Sequence, residues 1–471
     1  MKYPYIICLF LLLLSSTLET KSPTHSQCSK NSDCLGNHIC RDEVCVHRGF
    51  FPPNLSQIIE IVLMCGLSAV ATAAGVGGGA IYSALLMFIE NFEAQTAFPI
   101  SSFSILICSI MTFYLGVKAK IKNPSMKFID YDLVIVFCPA LLLGSKIGVI
   151  LNEIFPALIL IIFLILSLSF SSYKTYKNAL KAQKKERQLN DNLTEKETNL
   201  VHIIEKVEMI DVINNDFPHH NNNIKVINES VDIFNGSSAP IRLDRIKWIV
   251  LLQVCMLVDN LLEGSKKLGS IINIEKCGKY FWGIFFIFVF FCLGFTKLFY
   301  KRVKDEAPPK YNIDELKLEF DITSPEVEKK ITKIVFYCFL AGVVSGMLGI
   351  GGGIFMAPLM LELGIDTKVA TSTSNFFLIF TSFSSTCLYG MAGNTIISYC
   401  LLFGCLCGLF SLLGSNYLTG YVERTKKNSV LIWTLFGVSV VSLIILPINA
   451  IRHALYDLGQ GKNIFKLGKY C

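Results

Sequence analysis

The chain has 471 residues, 52% of them hydrophobic and 17% charged, with a formal net charge of +7 and a mean hydropathy of +0.52. Soluble domains carry about 25% charged residues, so this balance points to a membrane protein and away from a soluble enzyme. The Lys and Arg excess lies mainly between apolar stretches, with no compact basic face interleaved with aromatics, which argues against a nucleic-acid partner.

The chain opens like a secretory signal. Lys2 precedes the apolar run Ile6–Leu14, and Ser15 and Ser16 follow it, so residues 1–19 are expected to be a signal peptide, with an uncleaved anchor as the rival. Residues 20–55 form a polar segment containing "CSKNSDCLGNHICRDEVC". Cys28, Cys34, Cys40 and Cys45, following a signal, suggest a luminal module stapled by two disulfides, with three connectivities open. A zinc site using His38 or His47 is the alternative, although no CxxC spacing supports it.

Residues 56–171 hold the first set of apolar units: Ile58–Ala74, the short Ala80–Ile89, Ser101–Gly116, Leu133–Leu151 and Phe155–Phe170. Residues 172–245 break the pattern with a basic, helix-like start, "YKTYKNALKAQKKER", and an Asn-rich tract, as expected of a cytosolic flexible linker. Two linking spans follow within 246–299, then a charged loop over 300–333. Residues 334–450 hold the second set: Ile334–Leu348, the short Ile354–Leu363, Phe376–Tyr389, Ile396–Tyr417 and Val430–Ile448, before a tail over 451–471. The short units are nearer the length of re-entrant segments than the roughly 20 residues of a full span.

The two sets are copies. A shift of 274 positions places Gly75-Val-Gly-Gly-Gly79 on Gly349-Ile-Gly-Gly-Gly353, and a one-residue gap brings "AFPISSFSIL" onto "ATSTSNFFLIF". Positive loops prefer the cytoplasm. In the first copy the basic loop (Lys118, Lys120, Lys122, Lys127) follows unit three; in the second (Arg424, Lys426, Lys427) it follows unit four. The charged side has switched, which implies inverted topology. The expected architecture is therefore an all-α polytopic membrane protein: two inverted five-helix repeats with broken Gly-rich helices, about 12 transmembrane segments in all. The basic tail (Arg452, Lys462, Lys466, Lys469) and sequons at Asn192, Asn228 and Asn235 fit that layout less well.

A helix restarting after Gly75, Gly77, Gly78 and Gly79, or after Gly349, Gly351, Gly352 and Gly353, would aim free N–H groups and a positive dipole end at an anion. The plainer reading is that these glycines allow close helix packing. Beside them stand Pro99, Ser101 and Ser102 in the first copy and Thr371, Ser372, Thr373, Ser374, Asn375 and Ser382 in the second, hydroxyl and amide groups that suit an oxyanion or, more plainly, interhelical hydrogen bonds. None of the seven histidines lies within a span, and buried carboxylates are few: Glu60, Asp259 and Glu263. Haem, metal and dyad-hydrolase chemistry is thus poorly supported, no cofactor is expected, and no GxSxG, GxGxxG or Walker pattern occurs.

The duplicated G[VI]GGG with its short helix, Pro358–Met360 ("PLM") and the "ATS…N" span resemble the sulfite exporter TauE/SafE family, and "CGKYFW" (277–282) resembles a motif of its eukaryotic members. Tyr82-Ser83-Ala84 and Phe98-Pro99-Ile100 depart from the family pattern in the first copy. The resemblance implies a non-enzymatic carrier of sulfur-containing anions such as sulfite or organosulfonates, lying in the plasma membrane or an endomembrane, with a small anionic solute and the lipid bilayer as partners. The scarcity of buried carboxylates leans toward facilitated or weakly coupled transport. A receptor or sensor built on the luminal Cys module is the alternative function.

Overall fold

The computed structural model describes residues 38–41, 44–47, 53–122, 128–211, 243–264, 274, 277–306, 330–393, 395–425 and 429–459. The expected signal peptide, Cys28, Cys34, the Asn-rich part of the linker, most of the charged loop and the end of the tail lie outside them. Two short strands, β1 (His38–Arg41) and β2 (Val44–His47), pair antiparallel with Cys40 opposite Cys45. Cys40 is disulfide-bonded, and so is Cys277, which the sequence reading leaves outside its four-cysteine module.

Everything else described with regular structure is helical. The first set of apolar units forms α1 (Leu55–Ala73), α2 (Gly79–Ile89), α3 (Ala94–Lys122), α4 (Tyr131–Ile154) and α5 (Ala157–Asp211). Then come α6 (Leu243–Glu263) and α7 (Lys279–Asp305). The second set forms α8 (Ile331–Leu348), α9 (Gly353–Glu362), α10 (Thr367–Ala392), α11 (Ile397–Thr425) and α12 (Ser429–Gly459). Among the described residues, seven helices have a stretch long and apolar enough to cross a membrane: α1, α3, α4, α5, α7, α8 and α11. α2, α9 and the Ser429–Ile445 part of α12 are shorter apolar helices, while α6 and α10 carry too much polarity to qualify on composition alone. α5 continues unbroken through the basic, helix-like start of the linker to Asp211.

Local chemistry explains the helix ends. Asp130 caps α4, its carboxylate accepting from the N–H groups of Asp132 and Leu133 at 3.1 Å, and Asp366 caps α10 through the N–H of Lys368. Gly349 ends α8 and Gly393 ends α10, both in the left-handed conformation that a side chain disfavours.

α1 and α2 run antiparallel, because Gln57 in the first turn of α1 donates to the Glu90 carboxylate at the end of α2. Lys174 meets the Glu362 carboxylate at 2.7 Å and lies 4.8 Å from the Tyr337 ring centroid, which places the end of α9 back beside the first half of α8. The first two units of each set are thus hairpins whose bends are the glycine clusters. The same helix pairings recur with the two sets exchanged: α1 with α11 and α4 with α8; α3 with α11 and α4 with α10; α3 with α10; α5 with α12.

The α4–α8 contact is the closest. Gly144 and Gly148 on α4 meet Gly342 and Gly346 on α8, and a methyl group at any of the four would overlap a backbone carbonyl oxygen of the other helix. Two small-xxx-small stripes therefore let the backbones touch. α6 lies along α4 in parallel register. Arg245 bridges Asp132 (2.9 Å) and Glu306 (2.6 Å) at one end, and Lys146 pairs with Asp259 farther along; both cross-helix pairs are 113 residues apart in sequence. The Arg302 and Arg245 guanidiniums hold the Glu306 carboxyl below its usual range, so this lock is present at neutral pH and weakens only as acid protonates Glu306.

Gly346→Ala should separate α4 from α8 and cost about 1–3 kcal/mol, the range for overpacked interiors. Gly283→Ala, where nothing lies within 4 Å of the added carbon, should be neutral or stabilise α7 by about 0.5–1 kcal/mol. Thermal unfolding of the two variants in detergent, with a lower midpoint for Gly346→Ala alone, checks this.

Candidate functional site: two glycine turns meeting tip to tip

The bends of the two hairpins meet in the protein interior. Gly75, Gly77 and Gly78 have φ of 82°, 75° and 78°, and Gly349 and Gly351 have φ of 59° and 72°, backbone that a Cβ would strain. Each turn lies against the other. A carbon added to Gly79 would sit 2.7 Å from the carbonyl oxygen of Ile350, and one on Gly353 would sit 2.8 Å from that of Gly75. The flanking contacts also match: Gly75 packs on the backbone of Thr371 and Gly349 on that of Phe98.

Breaking a helix frees carbonyl oxygens, which must find donors in a dry interior. Two serines supply them. Ser101 Oγ lies 2.9 Å from the carbonyl oxygen of Gly79 and 3.0 Å from that of Gly349. Ser374 Oγ lies 3.0 Å from that of Gly353 and 2.7 Å from that of Gly75. Each serine thus clamps the start of its own short helix to the opposite turn, and one clamp maps onto the other when the copies are exchanged. Asn375 adds a cap by donating its amide to the carbonyl oxygen of Thr72 at the end of α1 (2.9 Å). On the other hairpin, Tyr389 donates to the carbonyl oxygen of Gly346 and Asn152 to that of Met347. Gly352 N–H, at the start of α9, has only a long 3.5 Å contact to Thr381 Oγ1.

The structure brings together both glycine clusters, Ser101, Thr371, Ser374 and Asn375. Pro99 and Ser102 are in the same α3 segment, and the Ser102 hydroxyl is buried without a hydrogen-bond partner among the described residues. Thr373 serves elsewhere, accepting from the N–H of Asp130 at the start of α4. Ser372 is half-buried, and Ser382, about two turns beyond Ser374 on α10, is buried with a hydroxyl that has no hydrogen-bond partner among the described residues. A serine hydroxyl has one proton to give. Ser101 and Ser374 give theirs to carbonyl oxygens, so the donors not spent on protein carbonyls are the hydroxyls of Ser102 and Ser382 and the first backbone N–H groups of α2 and α9. Among the described residues no three His, Cys, Asp or Glu side chains stand close enough together to hold a metal ion.

Two ionisable groups in the interior escape a reading based on spans. Lys146 sits in the middle of the apolar run Leu133–Leu151, fully buried; a single lysine inside such a run is itself a signal for function. Glu90, at the end of a short unit, lies against Glu60 in a buried pair beside Tyr399.

A multi-pass helical membrane protein with a core made of two matching glycine turns is the class these features define. The family model for the sulfite exporter TauE/SafE matches residues 46–201 and 270–444, and the chain belongs to that family. The chain is similar to Sulfite exporter TauE/SafE family protein 2 of Arabidopsis thaliana, 26% identical over 88% of this chain and 87% of that one. Family protein 5 of the same plant is 27% identical over 88% and 87%, and family protein 3 is 27% identical over 80% and 75%. No solved structure matches.

The clamps carry a direct expectation. Ser101→Ala and Ser374→Ala each leave two buried carbonyl oxygens without that donor, which should cost about 1–3 kcal/mol apiece. The Gly79 oxygen keeps the Ser83 hydroxyl as a donor at 3.0 Å, so Ser374→Ala should lose at least as much as Ser101→Ala; a lower unfolding midpoint for Ser101→Ala alone would break the correspondence of the clamps.

Proposed function

We propose that this protein is a secondary transporter of a small oxyanion, of the sulfur-containing class that the family name indicates, sulfite first. The observation that carries this reading is the convergence of two helix starts, Gly79 on α2 and Gly353 on α9, each against the other's turn. The first N–H groups of a helix have no intrahelical acceptor and form the positive end of its dipole. Two such ends in one low-dielectric place suit an anion, and discontinuous helices at a repeat interface are where secondary transporters hold their substrates.

The serine clamps have a second effect in this scheme. By covering the carbonyl oxygens of Gly75, Gly79, Gly349 and Gly353, Ser101 and Ser374 mute the partial negative charge that would repel an anion, while the N–H groups keep theirs to offer. Ser102, Ser382 and the remaining amide capacity of Asn375 lie close enough in sequence to line an approach. The two sets of five helices act as inverted repeats in a twelve-helix layout, with the signal peptide and Cys module on the luminal side and the α5 extension on the cytosolic side. Alternating access then means opening along the seam where α3 meets α10 and α5 meets α12, first toward one side and then the other. Nothing in the described helices favours the receptor reading over this one.

Radiolabelled sulfite uptake into liposomes containing the purified full-length protein tests the proposal. Saturable uptake with counterflow is expected; none for sulfite, sulfate or a small organosulfonate, with unfolding behaviour intact, would overturn it. Gly352→Ala tests the site. Gly352 has φ of −68°, and the tightest contact of an added carbon is with the end of the Leu141 side chain, at 3.2 Å. The Thr381 side chain is at ordinary contact distance, 3.5 Å, so the fold should accept that methyl group, while an anion at the start of α9 would be crowded by it. KM for sulfite should rise several-fold with the unfolding midpoint unchanged.

A further inference from the structure

The longest-range charge cluster in the core stands apart from the glycine turns. Lys146 on α4 is 1% exposed, and its Nζ donates to Asp259 Oδ2 and, at 2.7 Å, to Glu263 Oε1. Both carboxylates sit one turn apart on α6, with side chains 9% and 6% exposed. From α7, the rings of Phe285 and Phe288 pack over the ammonium group, at 5.4 and 5.1 Å, and the Cys292 thiol is the titratable neighbour. α6 itself adds the Cys255 thiol. α10, which also packs on α6, brings the uncharged Ser384, whose hydroxyl meets Met256. Among the described residues, Lys146 is the one cation these carboxylates meet.

The charges do not balance. With all three groups ionised the cluster carries one net negative charge, on side chains no more than 9% exposed and with aromatic rings forming one wall. An uncompensated charge in such surroundings is strongly disfavoured and is relieved most simply by binding a proton. A second, independent observation concerns the same helix. The side-chain amides of Gln253 and Asn260 are buried, and both nitrogens and both oxygens lack hydrogen-bond partners among the described residues. Gln253, Met256, Asn260 and Glu263 follow the three-and-four spacing of one helix face. Buried amides are normally satisfied, so a file of unsatisfied ones leading to Glu263 marks a place that water or a ligand must visit.

We propose that Lys146, Asp259 and Glu263 form a binding site for one exchangeable proton, reached through water along the Gln253–Asn260 face, and that this proton travels with the anion. This rests on the transporter reading above and supplies the coupling that a count of carboxylates alone does not suggest. The step is a simple protonation: a carboxylate takes one H+ from water and becomes a neutral acid, and the cluster passes from net −1 to net zero. Protonation loosens the hold of α6 on Lys146, and Lys146 lies on the helix that is zipped to α8, the arm of the second glycine hairpin. One proton binding event is thereby linked to the element that carries half of the anion site.

The test uses full-length protein in lipid and has two readouts. Infrared difference spectroscopy follows the protonated-carboxyl band as pH is changed; liposome uptake of sulfite and of sulfate is measured with and without an inward acid gradient, at clamped membrane potential. Sulfate does not change its charge near neutral pH, so it separates carrier protonation from substrate protonation. The expected result is a band that titrates in the parent and is lost in Glu263→Gln or Asp259→Asn. The ratio of gradient-driven accumulation to exchange at equal pH should also fall about tenfold in Glu263→Gln. That variant removes the excess negative charge, so it should fold; Lys146→Met, which strands two carboxylates, should not, and serves only as a contrast in unfolding midpoint. A band unchanged in both carboxylate variants, or accumulation that follows a sodium gradient and ignores pH, would overturn the proposal. A titrating, variant-sensitive band in a protein that moves no anion would uphold the proton site and sink the transporter reading.

Discussion

The structure depends on one constraint: two helices are broken inside a dry interior, and every carbonyl the breaks release has to be answered there. Ser101 and Ser374 answer it symmetrically, each reaching one carbonyl of its own copy and one of the other. That reciprocity ties the copies together at the place where each is least regular. It also explains why the glycines come in clusters. Backbones that must approach to within hydrogen-bonding reach of a shared hydroxyl leave no room for side chains between them, as the contacts of Gly79 with Ile350 and of Gly353 with Gly75 show. On the proposed reading, packing and anion binding are two aspects of one arrangement. Only a turn packed this closely could hold two helix starts together, and only a turn with its carbonyls covered would present a positive face.

Much of this was legible in the sequence, and for physical reasons. A repeated run of glycines inside apolar sequence is costly enough to be conspicuous, and a shift of 274 positions was sufficient to pair Gly75 with Gly349 and Ser101 with Ser374 to within a residue. What could not be read was direction of use. A serine in an apolar helix can offer its proton to a neighbouring carbonyl or to a solute, and the letters are the same in both cases; only the distances to Gly79 and Gly349 decide for Ser101. The hairpins were hidden for a related reason. Alternating apolar units look like successive passes, and the contact of Gln57 with Glu90, 33 residues apart, is what folds the second unit back on the first. The lysine at position 146 was missed because hydropathy averaged over the run Leu133–Leu151 swamps a single charge.

The pairings also redraw the boundary between the parts. Chain order suggests two bodies, one per copy, but α1 and α3 pack with α11 of the other copy and α2 with α12, while α8 and α10 pack with α4 and α9 with α5. Each bundle therefore borrows a helix across the linker. The seam between bundles is made by the third and fifth units of each copy, which face their own counterparts. A relative movement would pass through that seam and leave the glycine zipper of α4 and α8 whole.

That borrowing has a consequence for how the protein is made. α4 is synthesised with the first copy, yet the surface formed by Gly144 and Gly148 has no partner until α8 emerges nearly two hundred residues later. In the finished protein 89% of the most apolar window of α4 is shielded from its surroundings, so during synthesis a helix destined for the interior must wait in contact with lipid. Its apolar side chains make that wait tolerable, and its lone lysine does not. The arrival of α6, with Asp259 and Glu263 in register, supplies the counter-charge before α8 arrives to close the zipper. Chain order here is an assembly schedule: charge is neutralised first, and close packing comes second.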